Sequence, residues 1–149
     1  MNLRSIPVLL VTVAACAGGI ANPTANRTPE AVVQSFLAAA RAGNDTLMAN
    51  YWGGPKGPAS KTKEPQDYEK RIEIMRKYLA NDSVVVVSRG NVVSQPQQVM
   101  VTVRIYRGKC QNLVPFIAGP WKDVWLIQNV DVTNAGNPAR PCDDQGNPL

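Results

Sequence analysis

Cysteine and histidine set the first limits on the chemistry that this chain can perform. The sequence of 149 residues contains three cysteines and no histidine. Without histidine, neither a Ser-His-Asp triad nor a Cys-His pair can form, which excludes the commonest nucleophilic schemes of hydrolases. Structural zinc usually takes four cysteine or histidine ligands, and too few are present here. We therefore expect no metal site and no cofactor.

The N-terminal segment has the composition of an export signal. Arg4 is the only charge before an apolar stretch over residues 6–13, and two alanines separate this stretch from Cys16. The stretch is shorter than the roughly 20 apolar residues that a membrane-spanning helix needs, and Pro7 interrupts it. These features predict a signal peptide over residues 1–15 that is cleaved during export.

The run Val13-Ala14-Ala15-Cys16 resembles a bacterial lipobox, where lipoprotein signal peptidase cuts before a cysteine that carries diacylglycerol. The resemblance implies lipidation of Cys16 and a lipid-anchored protein of the bacterial cell envelope. Because Ala17 replaces the aspartate that retains such proteins in the inner membrane, it also implies the outer membrane. The alternative is ordinary cleavage after Ala15 or Ala17, which would release a soluble secreted protein.

Cysteine pairing follows from the same reasoning. Three cysteines in an exported chain leave one without a partner, and lipidation of Cys16 would account for it. Cys110 and Cys142 would then form a disulfide in an oxidising compartment. Two unpaired thiols are the alternative.

The chain carries 16 basic and 11 acidic side chains, and loss of Arg4 with the signal lowers the formal charge from +5 to +4. This excess suits a well-solvated surface. It also suits attraction to anionic lipid headgroups or lipopolysaccharide beside the anchor. We expect no nucleic-acid partner, because an exported protein rarely meets one.

Three helices are predicted in the first half of the chain, after a flexible tether over residues 16–27. Thr28-Pro29-Glu30 is a strong helix start, and Gly43 is a typical helix end. A second, shorter helix follows Asn44, and a third covers residues 66–79. Residues 53–65, rich in glycine and proline, are predicted to form one long loop.

The second half has the two-residue periodicity of strands. Residues 97–107 alternate cleanly between apolar and polar side chains. Further strands are predicted at 84–87, with a turn or bulge at 89–91, at 111–117, and at 122–132 after a turn at Gly119-Pro120. Residues 134–149 form a loop-like tail that only the disulfide would pin. The order predicts one α+β domain over residues 28–133, with N-terminal helices packed on a curved antiparallel sheet.

Residues 28–132 resemble the nuclear transport factor 2-like (cystatin-like) cone fold, and within it small bacterial lipoprotein domains of unknown function. The similarity is carried by residues 28–44 and by Trp121-Lys122-Asp123-Val124-Trp125-Leu126-Ile127. It implies a cavity between helices and sheet, which members of the family use as an enzyme pocket, as a ligand pocket, or filled with side chains as a scaffold.

Three aromatic residues, Phe36, Trp52 and Trp125, could line such a pocket, although tryptophans in a small domain are more often core. Enzymes of this fold that move protons next to a carbonyl need a carboxylate base and an oxyanion donor. The candidates are not in a recognisable catalytic spacing: Tyr51, Tyr68, Tyr106, Asp123 and Asp131. We therefore expect a non-enzymatic binding or interaction domain. Its partner would be an envelope protein, a small apolar ligand, or a second copy across the outer sheet face. An enzyme or an apolar-ligand carrier that uses the cavity is the alternative.

Overall fold

A computed structural model describes residues 26–149. They form an α+β fold with helices packed on a curved, antiparallel, four-stranded sheet. The helices are α1 (Pro29–Arg41), α2 (Asp45–Tyr51), α3 (Ala59–Thr62) and α4 (Tyr68–Tyr78), with a 3₁₀ helix at Val132–Ala135. The strands are β1 (Gly53–Gly54), β2 (Gly57–Pro58), β3 (Ser83–Val92), β4 (Gln95–Arg107), β5 (Cys110–Trp121) and β6 (Val124–Val130). The predicted signal peptide, Cys16 and the tether before Asn26 lie outside the described residues.

Helix α1 begins and ends as its capping residues predict. The hydroxyl of Thr28 accepts a hydrogen bond from the amide of Ala31 at 3.1 Å, and Pro29 occupies the first turn, where its missing N–H costs nothing. Beyond the helix, Gly43 adopts a φ of +67°, which glycine reaches without steric penalty. The apolar face of the helix is buried: Val32, Val33, Phe36, Leu37, Ala39 and Ala40.

Helices α2 and α4 cover the sheet beside α1. The side chain of Asn44 caps α2 by accepting a hydrogen bond from the amide of Leu47 at 2.9 Å. Helix α4 starts at Tyr68, two residues later than predicted, because the Tyr68 amide closes a turn onto the carbonyl of Pro65 at 2.8 Å. Its buried face consists of Tyr68, Ile72 and Met75.

The prediction of one long loop over residues 53–65 is wrong. Gly53 and Gly54 pair with Pro58 and Gly57 in a small antiparallel hairpin, β1–β2, and the short helix α3 follows directly. Glycine and proline suggested irregular structure. Gly53 is instead required because another backbone segment passes beside its Cα. Elements of two to four residues are too short to produce a periodic pattern.

The four main strands pair in chain order, β3-β4-β5-β6, all antiparallel. The predicted alternation in β4 is confirmed, since Val99, Val101, Val103 and Ile105 are buried on the helix side. The predicted turn or bulge at residues 89–91 is only partly present. β3 continues as a strand to Val92, and its register with β4 shifts twice, between residues 86 and 88 and between Asn91 and Val92.

The predicted turn at Gly119-Pro120 is also wrong, because both residues are part of β5 and pair with Leu126 and Trp125. Proline fits there because the amide of Trp125 points away from β5 and donates to the carbonyl of Asn26 at 2.7 Å. The Pro120–Trp125 pair therefore needs no N–H from proline. The chain turns instead at Lys122, whose φ is +53°.

The space between the helices and the sheet is filled by side chains. Phe36 of α1 and Phe116 of β5, both without exposed surface, meet edge to face with ring centroids 6.4 Å apart. Such a pair adds about 0.5–1.5 kcal/mol to the stabilisation from burial alone.

The tail is held more firmly than predicted. The disulfide between Cys110 and Cys142 is present as expected. The tail is also fastened by hydrogen bonds from the Arg107 guanidinium to the carbonyl of Ala135 and from Lys109 Nζ to the carbonyl of Asp144. Ala135 is fully buried, so the start of the tail belongs to the core.

Candidate functional site

Three neighbouring cavities lie along β6 and share lining residues. The largest, of about 460 Å³, lies between the β1–β2 hairpin, Arg71 of α4 and Gln128 of β6. A second cavity of about 260 Å³ shares Trp52, Arg71 and Gln128 with it. A third, of about 310 Å³, shares Pro55 and Gln128. We call these three adjoining cavities the Trp52 groove.

Backbone pairing on both sides holds Trp52 in the groove. Its amide donates to the carbonyl of Met48 at the end of α2, and its carbonyl accepts from the amide of Ala59 at 2.8 Å. It also forms a parallel bridge with Ile127, at the edge of β6. The half-buried indole also packs against the core, so that backbone and side chain are both held, as a binding platform requires.

The charged groups of the groove are paired with one another at its rim. Lys56 Nζ lies 3.1 Å from both carboxylate oxygens of Glu64, and Arg71 Nε lies 2.9 Å from Asp67 Oδ1. The hydrogen bond from Arg71 is the main reason that the pKa of Asp67 is lower than usual. All four side chains are more than half exposed, so these pairs are weak and can exchange partners with a ligand.

Gln128 forms a polar wall of the groove. Its side-chain oxygen accepts a hydrogen bond from Gln98 Nε2 at 2.7 Å, which ties β6 to β4 across β5. The Gln128 amide lies directly over Gly119, where a Cβ atom would collide with it. Because Gly119 has no side chain, the amide of Gln128 can occupy this position.

A separate cavity of about 450 Å³ lies among α2, α3 and α4. At its edge Lys63 Nζ donates to the hydroxyl of Tyr68 at 3.1 Å, and this hydroxyl donates to Glu69 at 2.9 Å. The hydroxyl of Ser60, also in the lining, is buried and has no hydrogen-bond partner in the described part of the chain. The lining has two acidic side chains, Asp45 and Glu69, and one basic side chain, Lys63.

The structure separates the three predicted pocket residues. Trp52 lines the groove. Phe36 has no exposed surface and belongs to the packed core. Trp125 is partly buried against that core, at the edge of β6 where the N-terminal segment joins the sheet. The lipidation residue Cys16 lies outside the described residues.

The five acid-base candidates are dispersed. Within residues 26–149, no hydrogen bond joins any of the three tyrosines to Asp123 or Asp131. Asp131 is exposed and caps the 3₁₀ helix by accepting from the amide of Thr133 at 3.1 Å. Burial raises the pKa of Tyr51, which is 7% exposed.

Sequence reasoning missed most of the groove. Four residues of the lining belong to no sequence motif, and in the sequence each looks like an ordinary surface residue: Lys56, Glu64, Arg71 and Gln128. They come together only because the hairpin, α4 and β6 meet. The single local signal was the density of glycine around residues 53–57.

No described residues form a cluster of three or more metal-ligating side chains. Likewise, none of the helices within residues 26–149 has the length and apolar character needed to cross a membrane.

Comparison with known proteins found no matching family model, no matching curated protein and no matching solved structure.

Proposed function

We propose that this chain is a lipid-anchored protein of the bacterial cell envelope, located at the outer membrane, whose domain binds a partner without catalysing a reaction. The anchor rests on the signal-like segment and on Cys16 after its small residues. The binding role rests on the folded domain. A nuclear transport factor 2-like cone is the fold that we propose for it, supported by the order of helices before a four-stranded meander.

The observation that carries the binding role is the Trp52 groove. It places a fixed, half-buried indole beside Arg71, Gln128, Lys56 and Glu64. An aromatic face combined with a few planar hydrogen-bonding groups is typical of small-molecule sites. The ligand that fits is a small molecule with one flat apolar face and polar groups at its edge. A purely apolar molecule would leave the charged rim unused.

Binding without catalysis is supported by the placement of the titratable groups. The two carboxylates nearest the groove are exposed and paired with bases, Glu64 with Lys56 and Asp67 with Arg71. The hydrogen bond from Arg71 lowers the pKa of Asp67, which makes this carboxylate a weaker proton acceptor. The side chains in the core, Phe36 and Phe116 among them, occupy the interior that an enzyme of the proposed family would use as its pocket.

The anchor is tested by expressing the full chain and a Cys16→Ala variant in a bacterium with two membranes. The expected mature protein begins at Cys16, carries the added mass of three acyl chains and fractionates with the outer membrane. The variant should lose both the lipid mass and the membrane association. A wild-type chain that starts after Ala15 or Ala17 without lipid would contradict the anchor.

The groove is tested by native mass spectrometry of residues 17–149 exported to a periplasm, which contain the whole described core. We expect a small molecule to copurify. An Arg71→Gln variant should lower its retention about tenfold or more, because a hydrogen bond to a charged group is worth about 1.5–3 kcal/mol. An empty wild-type domain in every preparation would contradict ligand binding and favour a protein partner.

The matched control for this experiment is Arg89→Gln. Arg89 has the same exposed fraction as Arg71, 54%, and also forms one ion pair, with Glu30 on α1. It lies on β3, far along the sheet from β6. Equal loss of ligand in the two variants would mean that net charge, and not the groove, holds the molecule.

Exposed apolar side chains on the sheet also favour a second partner, another copy of the same chain. On the outer face of the sheet, Val85 and Leu113 are 51% and 48% exposed and lie on either side of Arg104 in the strand register, and Met100 is 39% exposed. Sedimentation equilibrium should show a dimer that Leu113→Glu weakens. Val93→Glu, in the fully exposed β3–β4 turn, should leave it unchanged.

A further inference from the structure

The tip of the β5–β6 hairpin carries a tryptophan between two lysines. The ammonium groups of Lys61 and Lys122 lie 5.5 and 4.8 Å from the centroid of the Trp121 ring. Lys61 belongs to α3, so the cluster joins the helical layer to the sheet. On a third side Gly57 approaches the indole so closely that its Cβ position lies 3.1 Å from the ring. We call Lys61, Trp121 and Lys122 the anchor-end patch.

The N-terminal segment enters the domain beside this patch. The carbonyl of Asn26 accepts a hydrogen bond from the amide of Trp125 at 2.7 Å. Trp125 is next to Val124, and Val124 is the strand partner of Trp121. The first described residue is therefore bound close to the patch. Nine residues lie between Asn26 and Cys16. A segment of this length spans at most about 35 Å when fully extended.

The patch itself carries two positive charges. Lys61 and Lys122 are exposed, and no ion pair among residues 26–149 engages either of them. Arg27, next to Asn26, adds a third exposed base, with Glu30 three residues along the chain, and Asp123 follows Lys122 in the hairpin turn. Lys56 is neutralised by its pair with Glu64.

We propose that the anchor-end patch contacts the anionic phospholipid surface to which the chain is tethered. Tryptophan and lysine are suited to this position, because both have an apolar body and a polar or charged end that stays in the headgroup region. Each lysine near an anionic surface contributes only weakly. A tether raises the effective concentration of the surface, so weak contacts suffice to orient the domain.

This inference deepens the proposed function and rests on the anchor for its setting, but its test does not need the anchor. Residues 17–149, without lipid, are mixed with vesicles of phosphatidylcholine containing phosphatidylglycerol, and bound protein is measured by cosedimentation. The partition coefficient should exceed that on phosphatidylcholine alone and fall as salt is raised. It should drop about fivefold for each lysine replaced, and about 25-fold for Lys61→Gln with Lys122→Gln.

A matched control removes the same charge elsewhere. Lys77→Gln with Arg140→Gln removes two exposed charges from the last turn of α4 and from the tail, and neither residue belongs to the patch. This double variant should bind nearly as well as the wild type. If both double variants lose binding equally, or if the wild type does not prefer anionic vesicles, the proposal is overturned.

Tryptophan emission gives an independent measurement on the same samples. Emission of the wild type should shift to the blue on anionic vesicles, and Trp121→Phe should remove the shift although Trp52 and Trp125 remain. A shift that persists in Trp121→Phe would overturn the contact. The two proposals can fail separately. If Cys16 is not lipidated but the domain binds anionic vesicles, the anchor is refuted and the membrane contact of the patch is supported. If Cys16 is lipidated but the domain does not bind anionic vesicles, the anchor is supported and the membrane contact is refuted.

Discussion

Replacing Gly53 with alanine should force the β1–β2 hairpin open. A methyl group at Gly53 would lie 2.7 Å from the Cα of Pro58 and closer still to the carbonyl oxygen of Gly57. Ordinary van der Waals contact begins at 3.4 Å, so the two strands must separate by at least 0.7 Å. Both obstructing groups are backbone atoms of the paired strand and cannot rotate away. The backbone φ of Gly53 is outside the left-handed region, so the penalty is a steric one.

The magnitude follows from comparable insertions into packed sites. An extra methyl group without room costs about 1–3 kcal/mol. For a domain of this size that corresponds to a fall in Tm of about 4–12 °C. Because the hairpin forms one side of the Trp52 groove, any copurifying ligand should be lost from the Gly53→Ala protein as well.

Gly54→Ala is the control, one residue along the same strand. No atom lies within 4 Å of its Cβ position, so its stability should change by no more than about 0.5 kcal/mol. Thermal unfolding followed by circular dichroism measures both variants. Equal melting temperatures for the two would refute the argument that backbone contact at Gly53 holds the hairpin in place.

Three further predictions concern the stability of the fold. Replacing Cys110 and Cys142 with alanine opens a loop with a sequence separation of 32 and should cost about 3.5 kcal/mol in denaturant unfolding on the chain-entropy estimate; a loss below about 1 kcal/mol would mean that the tail is held by its other contacts. Asn81→Ala removes two hydrogen bonds from a buried amide to backbone carbonyls at 2.9 and 3.1 Å, and should cost about 1–3 kcal/mol in the same assay, whereas an unchanged midpoint would show that those carbonyls find other donors. The pKa values of Asp67 and Glu73 are lowered chiefly by hydrogen bonds from basic residues one turn along α4. The ionised carboxylates therefore stabilise the folded state fully above pH of about 4.5, and this contribution is lost as pH falls below about 4. A Tm that stays constant through this range would contradict the prediction.

Local signals in the sequence were sufficient for the elements that end by local interactions. The start of α1 depends on Thr28 and Pro29, and its end on Gly43, all within one turn of the helix. The alternation in β4 was readable because one face of the strand is buried and the other is not. Capping and side-chain periodicity are properties of consecutive residues, and they can be predicted without knowing what packs against them.

The errors concern residues whose conformation depends on a distant segment. Pro120 remains in a strand because the Trp125 amide is bonded to Asn26, which is almost a hundred residues away in the chain. Gly119 looked like a turn residue, but it makes room for the side chain of Gln128. The Trp52 groove was found only in part for the same reason. Its indole is conspicuous in the sequence, whereas its polar residues become neighbours only through tertiary packing.

The two edges of the sheet differ in a way that bears on aggregation. The β6 edge is occupied by Asn26 at Trp125 and by Trp52 at Ile127, so at these two positions it cannot pair with another strand. At the β3 edge a bulge between residues 86 and 88 disrupts the regular spacing, beside the exposed apolar side chain of Val85. Proteins commonly protect open sheets by such bulges and coverings. To extend this sheet into a fibril, an incoming strand would have to displace Asn26 and Trp52 or straighten the bulge, and the folded monomer is thereby protected against polymerisation through its own β-structure.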